Sequence, residues 1–379
     1  MKVPAFPTLA LHDLLPTHNW PFDQIPENSP RFFRGAGAIL EAARTIGLTH
    51  EHEVLVPAYH CGIEVEAIRH TGARIVFVPL TPGLDLMPDA LRARVSGRTK
   101  AVVLIHFFGF PQPVEEVRTL CDELGLTLIE DCAHALFSAA GANLLGQTGD
   151  FSIFSFQKSL PVPHGGALVG RDVSGNRSTV APPPFLTTAR GIALSLLSSS
   201  GSHGGLWERL VRSAILAPAR AAGQLLKSWR GPRAIVSPSA AELDPATACL
   251  GMSAAARRIA QHADPGQIIA ARRRRYLLLA AALKGTAGIE IPVPDLPDGT
   301  CPLFLPLLLR ERDSLRAFLE ARGVETFVFG EVPHPLLNAD TCAVSSRWSR
   351  ENLCLPTHQT LSDTMVSAMI GAVKEWRLA

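Results

Sequence analysis

Leu126-Thr127-Leu128-Ile129-Glu130-Asp131 is a hydrophobic run that closes on a carboxylate, and it reads as a buried strand with an acid at its carboxyl end. The pattern repeats on its amino-terminal side. Residues 34–47 read as a helix, 53–56 as a strand, 63–71 as a helix, 74–78 and 101–105 as strands, and 114–124 as a helix. Such alternation predicts an α/β fold, a mostly parallel sheet with helices on both faces. Ligands of these sheets sit outside the carboxyl ends of the strands. Asp131 and the Pro57-Ala58-Tyr59 loop fall on that same rim.

On the other side of Asp131, Lys158 follows in Phe154-Ser155-Phe156-Gln157-Lys158. A strand-end acid and an apolar-flanked lysine suit pyridoxal 5'-phosphate. That cofactor works as an electron sink while its pyridine nitrogen stays protonated, and a neighbouring carboxylate holds the proton there. Its aldehyde must be held by an amine that is neutral part of the time, which desolvation among Phe154, Phe156 and Leu160 favours. The bare pair is common, so the surrounding motifs carry the weight.

Those motifs occur in order along most of the chain: Arg34-Gly35-Ala36-Gly37-Ala38, Val54-Leu55-Val56-Pro57-Ala58-Tyr59-His60-Cys61, Val103 to Gly109, Ile129-Glu130-Asp131-Cys132-Ala133-His134-Ala135, Gly149 to Phe156, Gly165-Gly166-Ala167-Leu168-Val169 and Leu353 to His358. Together they resemble the DegT/StrS-type sugar aminotransferases, a branch of the fold-type I pyridoxal phosphate enzymes. The resemblance implies that Asp131 pairs with the pyridine nitrogen, His134 approaches the ring oxygen or ring face, Ser155 binds the phosphate and Lys158 holds the aldehyde. Backbone amides of Gly35, Ala36 and Gly37 would add donors at a helix N-terminus.

The chain departs from the family pattern in three places. It is two residues shorter between Ser155 and the lysine. Cys61 stands where an aromatic often stacks on the cofactor ring, which would leave stacking to Tyr59 or His60. His164 replaces the usual acid before the paired glycines, behind Pro161-Val162-Pro163.

The 379 residues suffice for a large domain and a smaller one. The expected division is an N-terminal arm (1–30), a large cofactor-binding domain (31–250) and an interdomain helix with a small C-terminal α/β domain (251–379). The last holds a long helix over 254–285, a strand over 303–309 and helices over 313–322 and 361–376. Net charge is +2, so nucleic acid is not an expected partner. The run Arg272-Arg273-Arg274-Arg275 points in nearly all directions around its helix, with one arginine a candidate for an anionic substrate. Seven cysteines without CxxC or finger spacing predict reduced thiols and no metal. Pro4, Pro7 and Pro16 interrupt any leader-like run, and no apolar stretch reaches about 18 residues, so a cytoplasmic protein is expected.

An insertion at about 173–240 falls outside the family pattern. Its bases, from Arg177 to Arg233, face the lone acid Glu208, and Leu206, Trp207, Leu210 and Val211 interleave with them, with Pro218 as a break. This is the composition of a cationic amphipathic helix lying on the inner membrane face or wrapping a partner, with a hairpin packed on the dimer as the plainer alternative.

The resemblance implies a homodimer that transfers an amino group from an amino acid, first of all glutamate, to the keto group of a nucleotide-linked deoxysugar. A dehydratase-like elimination is the alternative, although such relatives replace the lysine with histidine. A noncatalytic membrane-associated relative is the other, against which Asp131, His134, Ser155 and Lys158 all argue.

Overall fold

The computed structural model describes residues 1–15, 20–170, 173, 180–198, 243–337 and 342–377. Its centre is a seven-stranded sheet built from β1 (Arg31–Phe32), β2 (Glu53–Pro57), β3 (Arg74–Val78), β4 (Thr99–Ile105), β5 (Thr127–Asp131), β8 (Phe151–Ser155) and β9 (Gly166–Gly170). A small hairpin, β6 (Ala139–Ala140) and β7 (Asn143–Leu144), lies between β5 and β8 in the chain. The sheet order is β1-β9-β8-β5-β4-β2-β3, and β9 alone runs against the rest. Strands β2, β4 and β5 are hydrophobic on both faces because helices cover both, as a parallel sheet requires.

The helices joining these strands are α1 (Gly35–Thr45), α2 (Ile63–Arg69), α3 (Pro88–Arg92), α4 (Val114–Leu124) and the single turn α5 (Phe156–Ser159). The expected alternation and its boundaries are reproduced to within two residues. The fold is therefore α/β with a mostly parallel sheet, as the sequence implies. Helix α6 (Phe185–Ser198) belongs to the expected insertion; residues 199–240, with Leu206, Trp207 and Pro218, lie outside the described residues. No helix among the described residues is long and apolar enough to cross a membrane.

The C-terminal part contains α7 (Pro245–Ala248), α8 (Ala254–Ala260), α9 (Pro265–Leu283), β10 (Phe304–Leu308), α10 (Arg312–Ala321), α11 (Ala343–Glu351), β11 (Asn352–Pro356) and α12 (Asp363–Trp376). The single helix expected over 254–285 is in fact two. Asp264 caps the second by accepting the Gln267 amide at 3.0 Å, and Pro265 takes its first position, where a missing N–H does no harm. A separate core gathers Tyr276, Leu279, Leu283, Leu307, Leu315, Leu353 and Met369, with Val3 from the N-terminus. Val3 bridges Val324, and Phe6 packs edge-on against Phe304 at 5.4 Å, so the first residues lie on the C-terminal part.

The arginine run resolves into separate structural duties. Arg274 pairs with Asp363, Arg273 binds the Pro297 and Thr300 carbonyls, and Arg275 donates to the Leu361 carbonyl. Arg272 is fully buried and donates to Gln359 Oε1 (3.2 Å), Pro302 O (3.2 Å), Leu303 O (3.1 Å) and Ser159 O (3.1 Å). All of these are neutral acceptors, and burial lowers its pKa to about 10. None of the four arginines lines the large cavity described below, so the expected anion-binding role falls to none of them. Arg272→Ala leaves buried carbonyls short of donors and should cost about 3 kcal/mol in a denaturant unfolding titration. A loss under about 0.5 kcal/mol would show that this network is dispensable.

Candidate active site

A cavity of about 490 Å³ opens at the carboxyl rim of the sheet. Asp131 enters it from the end of β5, Ser155 from the end of β8 and Lys158 from α5. Gly35 and Ala36 border it from the start of α1, and Cys61 and Glu64 from the turn into α2. Phe6, Phe327 and Phe329 form an apolar wall. Of the residues proposed from sequence, this brings together Gly35, Ala36, Cys61, Asp131, Ser155 and Lys158.

Asp131 is 4% exposed, and its Oδ1 accepts the Ala133 amide at 2.8 Å. Burial and the neighbouring Glu64 carboxylate push its pKa up to about 6, against the pull of the Lys158 charge. A carboxylate in this condition is short of a cation. The preceding residue, Glu130, points to the opposite face, as strand alternation dictates. There it accepts His106 Nε2–H (3.1 Å) and the amides of Gly146 (2.9 Å), Thr148 (2.9 Å) and Gly149. His106 Nδ1 accepts the Gln112 amide at 3.1 Å, which fixes the proton on Nε2. His106, Glu130 and Cys132 form the one metal-like grouping among the described residues, but these hydrogen bonds already commit the histidine and the carboxylate.

His134 does not line the cavity. It packs edge-on against the lining residue Phe329 at 4.7 Å, and its Nδ1 accepts the Phe108 amide at 3.2 Å. Its Nε2 is therefore the protonated nitrogen, and it is buried without a hydrogen-bond partner. Burial first, and the Lys158 charge second, hold the imidazole neutral, well below its ordinary pKa. The loop that carries it is pinned by Gln24, whose amide donates to the Leu145 carbonyl at 2.8 Å and accepts the Phe137 amide at 2.6 Å. Phe108 (φ 55°) and Phe137 (φ 71°) are held in the left-handed region on either side of this histidine.

Lys158 lies half-buried on α5, beside buried Phe156. The next carbonyl, Ser159 O, accepts from both Arg272 and Gln359 Nε2 (3.0 Å), so the short turn is anchored to the C-terminal part. Gly166 lets β9 pass beside the start of α1: a Cβ there would lie 2.7 Å from backbone atoms of Arg34 and Gly35.

Three expectations need correction: His134 at the cofactor ring, Gly37 at the phosphate, and stacking by Tyr59 or His60. Gly37 does not face the cavity; its amide donates to Arg34 O at 3.1 Å, and a Cβ on it would collide with the Ala248 carbonyl, so it serves the packing of α7 on α1. Neither Tyr59 nor His60 lines the cavity, so stacking does not pass to them. Tyr59 donates to the Phe329 carbonyl (2.7 Å), and His60 stacks on Phe77 with centroids 5.2 Å apart. His164, in place of the family's acid, also stays outside the cavity: its Nε2 lies between Thr188 Oγ1 (3.2 Å) and Ser253 Oγ (3.1 Å), and its ring stacks on Phe33.

Sequence reasoning missed Arg34 and Glu64, which also line the cavity. An acid in the first turn of a helix reads as an ordinary partner of the helix dipole, and an arginine before a helix as a surface charge.

The arrangement suits a flat, anionic, aldehyde-bearing ring. It offers an acid lacking a cation, an amine, and a hydroxyl beside a helix start. Residues 33–178 match the model of the DegT/DnrJ/EryC1/StrS aminotransferase family. The chain is 35% identical over 138 residues to the GDP-perosamine synthase of Vibrio cholerae, covering 36% of this chain and 38% of that protein. It is 27% identical over 357 residues to the dTDP-4-dehydro-2,3,6-trideoxy-D-glucose 4-aminotransferase of Saccharopolyspora spinosa, covering 90% and 82%. The match thus spans about two fifths of the length of relatives such as the Vibrio protein. Among solved structures, aminotransferase TlmJ of Streptoalloteichus hindustanus superposes with a TM-score of 0.66 at 24% identity, over 92% of this chain and 86% of that one. Helicobacter pylori PseC, an aminotransferase of pseudoaminic acid biosynthesis, superposes at 0.67 with 16% identity over 92% and 86%. These two likenesses establish a shared fold, that of the aminotransferases. Through residues 33–178 and the motifs they carry, the chain is similar to the DegT/DnrJ/EryC1/StrS aminotransferase family.

Proposed function

We propose that the protein is a pyridoxal phosphate-dependent aminotransferase that moves an amino group from an amino acid, first of all glutamate, to the keto group of a nucleotide-linked sugar. The observation that carries this reading is Asp131 and Lys158 entering one cavity from the carboxyl ends of neighbouring strands, with Ser155 and the start of α1 beside them. When bound, pyridoxal phosphate supplies an aldehyde for the amine and a ring that accepts electrons from the substrate carbon.

The residues divide the work by chemistry. Asp131 holds a proton at the pyridine nitrogen, which in turn supplies the cation that its burial requires. His134 stays outside the cavity and backs its Phe329 wall. Ser155 Oγ and the amides of Gly35 and Ala36 bind the phosphate, with the Arg34 charge next to them. Lys158 Nζ takes the proton from the donor's α-carbon and returns it during amination of the ketone. Phe327 and Phe329 keep water from the reacting carbon. The activities named for the Vibrio and Saccharopolyspora relatives support a nucleotide-sugar acceptor. Family resemblance carries the expectation of a homodimer.

Glutamate added alone to the cofactor-loaded protein should convert the visible band of the lysine-bound cofactor to the ultraviolet band of its aminated form. Addition of the correct keto-sugar nucleotide should reverse the change. A band that no amino acid converts would exclude transamination and favour elimination.

A further inference from the structure

Glu64 is a buried charged group of the cavity for which the scheme above has no use. It is 3% exposed, sits in the first turn of α2, and accepts the Cys61 thiol at 3.0 and 3.1 Å. A thiol is a weak donor and leaves a buried carboxylate poorly compensated. The charged groups bordering the same cavity are Asp131 on β5, Lys158 on α5, Arg34 at the start of α1 and Asp244 ahead of α7. The loop from β2 and the end of β5 flank β4 on one rim, which sets Glu64 and Asp131 against the same space. We propose that Glu64 is a second carboxylate for the cofactor, sharing with Asp131 the positive charge of the bound ring, on the side where Cys61 replaces an aromatic.

This rests on the reading of the cavity as a pyridoxal phosphate site. Two observations support it. With Arg34 and Asp244 exposed at its edge, the inner cavity sets two buried carboxylates against one half-buried lysine, a negative charge that a cationic ring would balance. Repulsion from Glu64 is also the leading charge effect that raises the Asp131 carboxyl. Cys61 is small enough to let a carboxylate reach a ring face that an aromatic would cover. The thiol itself stays protonated, because burial and Glu64 push its pKa well up.

Glu64→Gln keeps the shape and the acceptor for the thiol while removing the charge. In the cofactor-loaded protein, titration of the visible band of the lysine-bound cofactor should show its midpoint lowered by about one unit in Glu64→Gln. Cofactor affinity, measured by fluorescence on the cofactor-free protein, should weaken about tenfold. Glu64→Asp, which retains the charge, should keep the midpoint close to that of the parent protein. A Glu64→Gln midpoint and affinity equal to the parent's overturn the proposal, as does a full-unit drop in Glu64→Asp. A parent protein that forms no visible band refutes instead the cofactor reading on which this rests.

Discussion

Lys158→Ala protein treated with pyridoxal phosphate and borohydride should yield no pyridoxyl adduct on the peptide that contains α5, and its transamination should fall about a thousandfold or more. One substitution removes two functions, the covalent tether of the aldehyde and the base at the substrate's α-carbon, and the base alone accounts for about 10²–10⁴ in rate. Lys158→Arg should fail equally, although it preserves the charge, because a guanidinium does not deprotonate. Peptide mapping separates this outcome from a folding defect. If the parent protein carries the adduct on another lysine, or the alanine variant turns over normally, the assignment of the amine is wrong.

The second large effect concerns Asp131, and its sign depends on the cofactor. In cofactor-free protein the folded carboxyl, at about 6, binds its proton more tightly than the unfolded chain, at 3.8. The stability it contributes is fully present below the lower value and is lost as pH rises through the upper one. Asp131→Asn retains an oxygen for the Ala133 amide and cannot ionise. Cofactor-free Asp131→Asn should therefore melt about 2–4 °C higher than the parent at pH 8, with the advantage gone below about pH 4. Because the comparison is a difference, the depressed histidines His60 and His164, present in both proteins, cancel. With cofactor the order reverses: the variant loses the countercharge at the ring nitrogen, binds pyridoxal phosphate weakly, and turns over about 10²–10³-fold more slowly. Parallel melting curves of variant and parent across pH 4–8 would refute the raised carboxyl.

The alternation of strands and helices from residue 34 to 131 was readable because those strands are hydrophobic on both faces and their helices carry an apolar stripe, which is local information. The rim placement of Asp131 followed from it, whereas Ser155 and Lys158 were picked out by the motifs around them. What escaped was set by tertiary contacts. Gly37 shares its motif with Gly35 and Ala36, yet the carbonyl of Ala248, far along the chain, decides that it packs and does not bind. Arg272 looks like one more base in a run until Ser159, Pro302 and Gln359 converge on it. The break at Asp264-Pro265 did carry a legible start signal, which the continuous helical composition on both sides concealed.

The grip of Arg272 and Gln359 on the carbonyl after Lys158 has a mechanical corollary. A rotation of the C-terminal half about α9 cannot leave the reactive amine behind; it must drag the α5 turn along or rupture both links. Closure over a substrate would thereby retune the reach of the amine, so that its position in the empty protein and in the closed one are coupled settings of a single lever.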